Sequence, residues 1–123
     1  MSAVQSTKRR ILVVEDETLI AMTFESVLRK LGCEIVGPVG KLETAMQMAR
    51  EETLDAAILD VNIRGGRVFP VAEVLQARNV PFVLASGYGD WALPEAFRDL
   101  PRLTKPFGSD DVVKVVEAMY SLR

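Results

Sequence analysis

Five polar residues stand at the ends of short runs that read as strands, and their types fit phosphoryl chemistry. Glu15 and Asp16 follow Ile11–Val14, Asp60 follows Ala56–Leu59, Ser86 follows Phe82–Ala85, and Lys105 follows Arg102–Thr104. If each run is a strand and the strands lie parallel, all five side chains meet at the carboxyl edge of one sheet. Three converging carboxylates repel one another and raise each other's pKa values. A divalent cation resolves that conflict. Mg²⁺ takes oxygen ligands, commonly one or two carboxylates with waters, and leaves room for a phosphate oxygen. Asp60 is then a candidate nucleophile, because phosphoryl transfer needs mainly alignment and charge neutralisation, which the metal and the Lys105 ammonium can supply. A Ser86 hydroxyl can donate to a phosphoryl oxygen.

Taken singly, each piece has a blander reading. An acidic pair behind a strand is more often a solvated turn or a helix cap than a metal site. Ser86-Gly87 reads as a turn, and Lys105-Pro106 as a strand end with an exposed lysine. Their joint occurrence, in order, on four strand ends is hard to assign to chance.

The elements that would position them are legible. Ile11–Val14, Ala56–Leu59 and Phe82–Ala85 are apolar throughout, as suits central strands covered on both faces. Cys33–Val36 and Arg102–Thr104 are weaker strands. From Glu17 to Leu31 one helical face carries Ile20, Phe24, Val27, Leu28 and Leu31, and Gly32 follows as a stop. Leu42, Ala45, Met46 and Ala49 make a second stripe, and Val71, Val74 and Leu75 a third. A last helix opens at Ser109 with Asp110 and Asp111 in its first turn, and its face is Val112, Val113, Val116, Met119 and Tyr120. Between Tyr88 and Leu100 the pattern is interrupted by Gly89 and Pro94 and flanked by Gly87 and Pro101, so an irregular fourth helix region is expected. Alternating strands and helices predict a doubly wound α/β unit with a parallel sheet and right-handed crossovers.

Composition narrows the function classes. The chain has 123 residues, the size of one domain, with 49% hydrophobic and 26% charged residues, so it can bury a core. Fifteen basic against 17 acidic residues give a net charge of -2, which leaves no basic footprint for nucleic acid. There is no histidine, so a Ser-His-Asp or Cys-His pair is excluded, as is a phosphohistidine carried by this chain. The single cysteine, Cys33, cannot form an internal disulfide and reads as a small apolar residue beginning a strand. A reducing, cytoplasmic location is expected. The apolar run after Lys8-Arg9-Arg10 is too short for a signal peptide, and no stretch is long enough to span a membrane.

With these residues in view, the chain resembles a CheY-like response-regulator receiver domain from about Arg10 to Leu122. The expected division is a tail over 1–9 and a receiver over 10–123. The resemblance implies a flavodoxin-like five-stranded parallel sheet in the order 2-1-3-4-5. It implies Asp60 as the phosphoacceptor, Glu15 and Asp16 as the acidic pocket with Asp16 the direct Mg²⁺ ligand, and Asn62 offering its backbone carbonyl to the metal. Ser86 matches the family's Ser/Thr switch position, Lys105 its lysine, and a cis bond is expected before Pro106. The implied function is a stand-alone switch in two-component signalling. It would take a phosphoryl group from a histidine kinase or phosphotransfer protein and alter contacts with a downstream protein target. It would catalyse only its own phosphotransfer and slow dephosphorylation, and so is not a conventional enzyme. No output domain is expected after the last helix.

Three features depart from the common receiver pattern. Arg64 stands four residues past Asp60, where many receivers have proline, and Gly65-Gly66 follows it. Arg102 occupies the position, three before the lysine, of the usual aromatic switch residue. Pro81–Tyr88 is similar to the "FATGUY" receivers, a single-domain subgroup commonly served by HWE-type sensor kinases. With Arg102 unable to turn inward cheaply, signal output is expected through order and disorder of Gly87–Pro101, with Tyr88 and Trp91 changing environment.

Other classes fit less well. A pseudo-receiver that only binds partners would lack the acceptor or the lysine, and both are present. A phosphate sink competing with another regulator has the same residues. A dehalogenase-type hydrolase wants a second acid two residues on, where this chain has Asn62. No G-x-x-x-x-G-K-[ST] loop points to a nucleotide.

Overall fold

The computed structural model describes residues 8–87 and 93–121. In chain order they form β1 (Arg10–Val14), α1 (Thr18–Lys30), β2 (Glu34–Val39), α2 (Leu42–Glu51), β3 (Ala56–Asp60), β4 (Asn62–Ile63), β5 (Gly66–Arg67), α3 (Phe69–Ala77), β6 (Phe82–Ser86), β7 (Arg102–Thr104) and α4 (Ser109–Ser121).

β1, β3 and β6 bury nearly every residue, because helices cover both of their faces. They stand at the centre of a five-stranded sheet in the order β2-β1-β3-β6-β7, with all four pairings parallel. This is the expected 2-1-3-4-5 order, the small antiparallel β4–β5 hairpin standing apart from the main sheet. The weaker strand patterns fall at the two edges. β7 alternates exposed, buried, exposed, as an edge strand with one covered face should.

Side chains alternate across the sheet and feed two cores. Leu12, Val14, Leu59 and Leu84 pack with Ala45, Ala49, Val71 and Leu75 of α2 and α3. Ile11, Val13, Ile58 and Val83 pack with Phe24 and Leu28 of α1 and Val112, Val116 and Met119 of α4. Full burial of a side chain such as Phe24 is worth roughly 1.5–3 kcal/mol.

Four expectations shift. α1 runs from Thr18 to Lys30, one residue shorter at each end, and Gly32 closes it at φ 78 with its N–H on the Arg29 carbonyl. Leu31, expected on its apolar face, is 37% exposed. The second strand begins at Glu34, not Cys33, whose N–H still belongs to the end of α1 through the Leu28 carbonyl. That strand also continues three residues past Val36. Its pairing skips from Leu12↔Val36 to Val14↔Val39, so the strand runs on through a bulge at Gly37–Pro38, whose peptide bond is cis.

The irregular fourth helix region is partly described. Residues 93–100 contain only a 3-10 turn, Glu95–Phe97, with Leu93 and Phe97 buried. Phe97 meets Phe69 and Phe82 at ring distances of 5.9 and 5.8 Å. Tyr88 and Trp91 lie outside the described residues, as does the Tyr120 side chain.

Candidate functional site

β1 and β3 end side by side, so Glu15, Asp16 and Asp60 leave the sheet at one edge. One carboxylate oxygen from each lies within 4.8 Å of the others. Glu15 and Asp60 are both only 3% exposed, while Asp16 is half-buried. Glu15 Oε2 accepts the Glu17 N–H at 3.0 Å, while among the described residues no N–H or hydroxyl donor reaches its buried Oε1. A buried carboxylate oxygen without a donor is costly.

Lys105 follows β7 and reaches across. Its Nζ donates to Asp60 Oδ2 at 3.3 Å and stands 4.0 Å from the exposed Glu17 carboxylate. The strand itself is held by the Lys105 N–H on the Ser86 carbonyl at 2.9 Å, and the Lys105–Pro106 bond is cis as expected. Phe107 stacks on Phe24 at 5.4 Å, which ties this turn to α1. Ser86 is the last residue of β6 and is buried, one step beyond the Ala85 that pairs with Asp60. Asn62 touches the site through its N–H, which donates to Asp60 Oδ1 at 3.3 Å.

Burial pushes the Glu15 carboxyl up to about 8, with the Glu17 N–H opposing and the Asp60 charge adding to the rise. Burial also raises Asp60, although the Glu15 hydrogen bond and the Lys105 ammonium pull the other way. Lys105 is raised despite its own burial, because the Asp60 and Glu15 charges favour the ammonium. Crowded carboxylates that resist ionisation are what a bound cation would relieve. The donors are all oxygens, which suits a hard ion such as Mg²⁺. The orphaned Glu15 Oε1 fits the same group.

Residues 11–117 match the response regulator receiver domain model. The chain belongs to that family. It is a receiver of two-component signalling. The transcriptional regulatory protein PdtaR of Mycobacterium tuberculosis is 33% identical over 117 residues, covering 92% of this chain and 57% of PdtaR. The chain thus spans little more than half the length of that relative. The solution structure of SdrG from Sphingomonas melonis Fr1 is 46% identical with a TM-score of 0.81, covering 94% of this chain and 98% of SdrG. SdrG has also been solved in a BeF3-activated conformation. Likeness to SdrG fits the subgroup read from Pro81–Tyr88. The receiver domain of the sensor histidine kinase PA1611 from Pseudomonas aeruginosa, with magnesium in its active-site cleft, shares the fold at a TM-score of 0.77 and 20% identity over 94% of this chain and 99% of that one.

Two participants were not legible beforehand. Glu17 enters as a second, looser partner of Lys105; its place behind two acids was the available signal. Phe107 braces the lysine turn, and nothing in sequence links it to Phe24. Arg102 is exposed on β7, its guanidinium donating to the Arg98 carbonyl at 3.4 Å and not turned into the core.

Proposed function

We propose that this receiver takes a phosphoryl group onto Asp60 from a phosphohistidine of a sensor kinase or phosphotransfer protein, in an Mg²⁺-dependent reaction. The observation that carries this reading is the buried Asp60 carboxylate, set between an acidic cluster and the Lys105 ammonium. An Asp60 oxygen attacks phosphorus, and the donor's P–N bond breaks. The nitrogen leaves with the bonding electrons, and because the donor's other ring nitrogen carries a proton the departing ring is neutral imidazole. Lys105 moves from the carboxylate to the incoming phosphoryl oxygens, and Ser86 donates its hydroxyl to another. Glu15, Asp16, Asp60 and the Asn62 carbonyl would hold Mg²⁺, which offsets phosphoryl charge when bound. On this reading the chain turns over no external substrate beyond its donor, and it acts through protein contacts in the cytoplasm.

The donor's docking face is the α1 side of the cleft. Leu19 is 78% exposed there. A groove of about 410 Å³, lined by Leu19, Ile20, Thr23, Lys105, Pro106 and Phe107, opens beside the acceptor's lysine. Exposed apolar side chains next to a reactive centre suit a transient protein partner.

Incubation with acetyl phosphate, followed by intact mass, tests the reading. Wild type should gain one phosphoryl group with Mg²⁺ and none with EDTA, and Asp60→Asn should gain none. An equal adduct on Asp60→Asn would refute it.

A further inference from the structure

We propose that Gly40 is a positioning residue for the metal ligand Asp16: its bare Cα lets the β2–α2 loop lie against Asp16 and fix that carboxylate's direction. The inference rests on the reading of Asp16 as an Mg²⁺ ligand. A Cβ at Gly40 would fall 3.0 Å from both the Cα and the Cβ of Asp16, well inside ordinary carbon contact. The backbone there needs no positive φ, so the requirement for glycine is one of space alone.

Several features press the loop into this place. The bulge at Gly37–Pro38 brings Val39 back into register with Val14, and the Val39 carbonyl accepts the Glu15 N–H at 2.9 Å. Gly37 itself, at φ 102, could carry no side chain, since a Cβ would lie 2.9 Å from the Val13 carbonyl oxygen. On the far side, the Gly40 carbonyl accepts the Arg64 N–H at 3.2 Å, and the Arg64 carbonyl accepts the Leu42 N–H at 2.8 Å. Arg64 is the tip of the β4–β5 hairpin, whose first residue is Asn62. Gly40 is therefore the joint where the Asp16 backbone, the β2–α2 loop and the hairpin carrying Asn62 meet. Groups that orient a metal ligand commonly alter metal affinity 10–100-fold when changed.

The test is Mg²⁺ titration of the full chain followed by amide NMR, with labelling by acetyl phosphate as a second readout. Gly40→Ala should raise the half-saturating Mg²⁺ concentration about tenfold. Labelling at saturating Mg²⁺ should return to the wild-type rate, which a merely weakened fold would not do. Gly108→Ala is the control, since a Cβ there meets nothing closer than 4.0 Å; its half-saturation should be unchanged. In wild type the Gly40 and Arg64 amides should shift with the same half-saturation as Asp16, a check that needs no stable variant. Unaltered Mg²⁺ affinity in a folded Gly40→Ala, or a Gly40 amide indifferent to Mg²⁺ in wild type, would overturn the inference alone. Absence of any Mg²⁺ binding by wild type would instead overturn the reading of the site beneath it.

Discussion

Around the ends of β1 and β3 main-chain bonds knit several loops to one another, whereas beyond β6 the described main-chain ties to the sheet are those of the short β7 and its ends, and buried side chains add to them. On the first side, backbone bonds join Glu15 to Val39, Gly40 to Arg64, Arg64 to Leu42, Val61 to Ala85 and Val68 to Val61. On the second, β7 contributes three residues and Glu95–Phe97 a single 3-10 turn, while Leu93 and Phe97 anchor the segment by burial. Main-chain bonds fix direction. Apolar anchors fix position but can repack. Under the proposed function, the difference suits an acceptor that must stay aligned while the far side answers to what it carries.

Paired truncations break or sharpen that contrast most strongly. Phe24→Ala and Phe97→Ala should each cost roughly 3–5 kcal/mol in urea unfolding, since both rings are fully buried. Phe24 also supports Phe107 and hence the Lys105 turn, so only its loss should slow labelling by acetyl phosphate in the folded protein. Equal slowing in both variants would erase the distinction between the two sides.

The next effect depends on pH. With the Glu15 carboxyl raised to about 8 from an ordinary 4.5, the metal-free fold favours its protonated form. That contribution is complete below pH 4.5 and is lost as pH rises toward about 8, with Asp60 acting in the same sense. The melting midpoint in EDTA should therefore fall across this range. Added Mg²⁺ should restore it most at the alkaline end. Glu15→Gln should flatten the slope, and a midpoint that rises with pH in EDTA would contradict the burial argument.

A smaller effect separates receiving the phosphate from reading it. Lys105→Ala should still be labelled, more slowly, but amide exchange over Leu93–Thr104 should no longer respond to beryllofluoride. A normal response in this variant would remove Lys105 from the reading side.

Much of this was legible in the sequence, and for physical reasons. Central strands of a doubly wound sheet must be apolar throughout, so Ile11–Val14, Ala56–Leu59 and Phe82–Ala85 announced themselves, and the polar residue ending each run had to meet the others. The edge strand β2 was expected only to Val36, and its pairing with β1 shows that it runs on past Gly37-Pro38. The β4–β5 hairpin is too short to leave a periodic signal, and Gly65-Gly66 stood out only as a departure from the common receiver pattern. The contacts of Gly40 with Asp16 and of Phe107 with Phe24 join distant parts of the chain, and local patterning carries no trace of them.

The most direct measurement asks which residue carries the phosphoryl group in unaltered protein. After incubation with acetyl phosphate and Mg²⁺, borohydride reduction converts an aspartyl phosphate to homoserine, and peptide sequencing by mass spectrometry locates it. The predicted result is homoserine at position 60 alone, and at no position when EDTA replaces Mg²⁺. Homoserine at position 16, or a phosphoryl group found only on a hydroxyl such as Ser86, would contradict Asp60 as the acceptor.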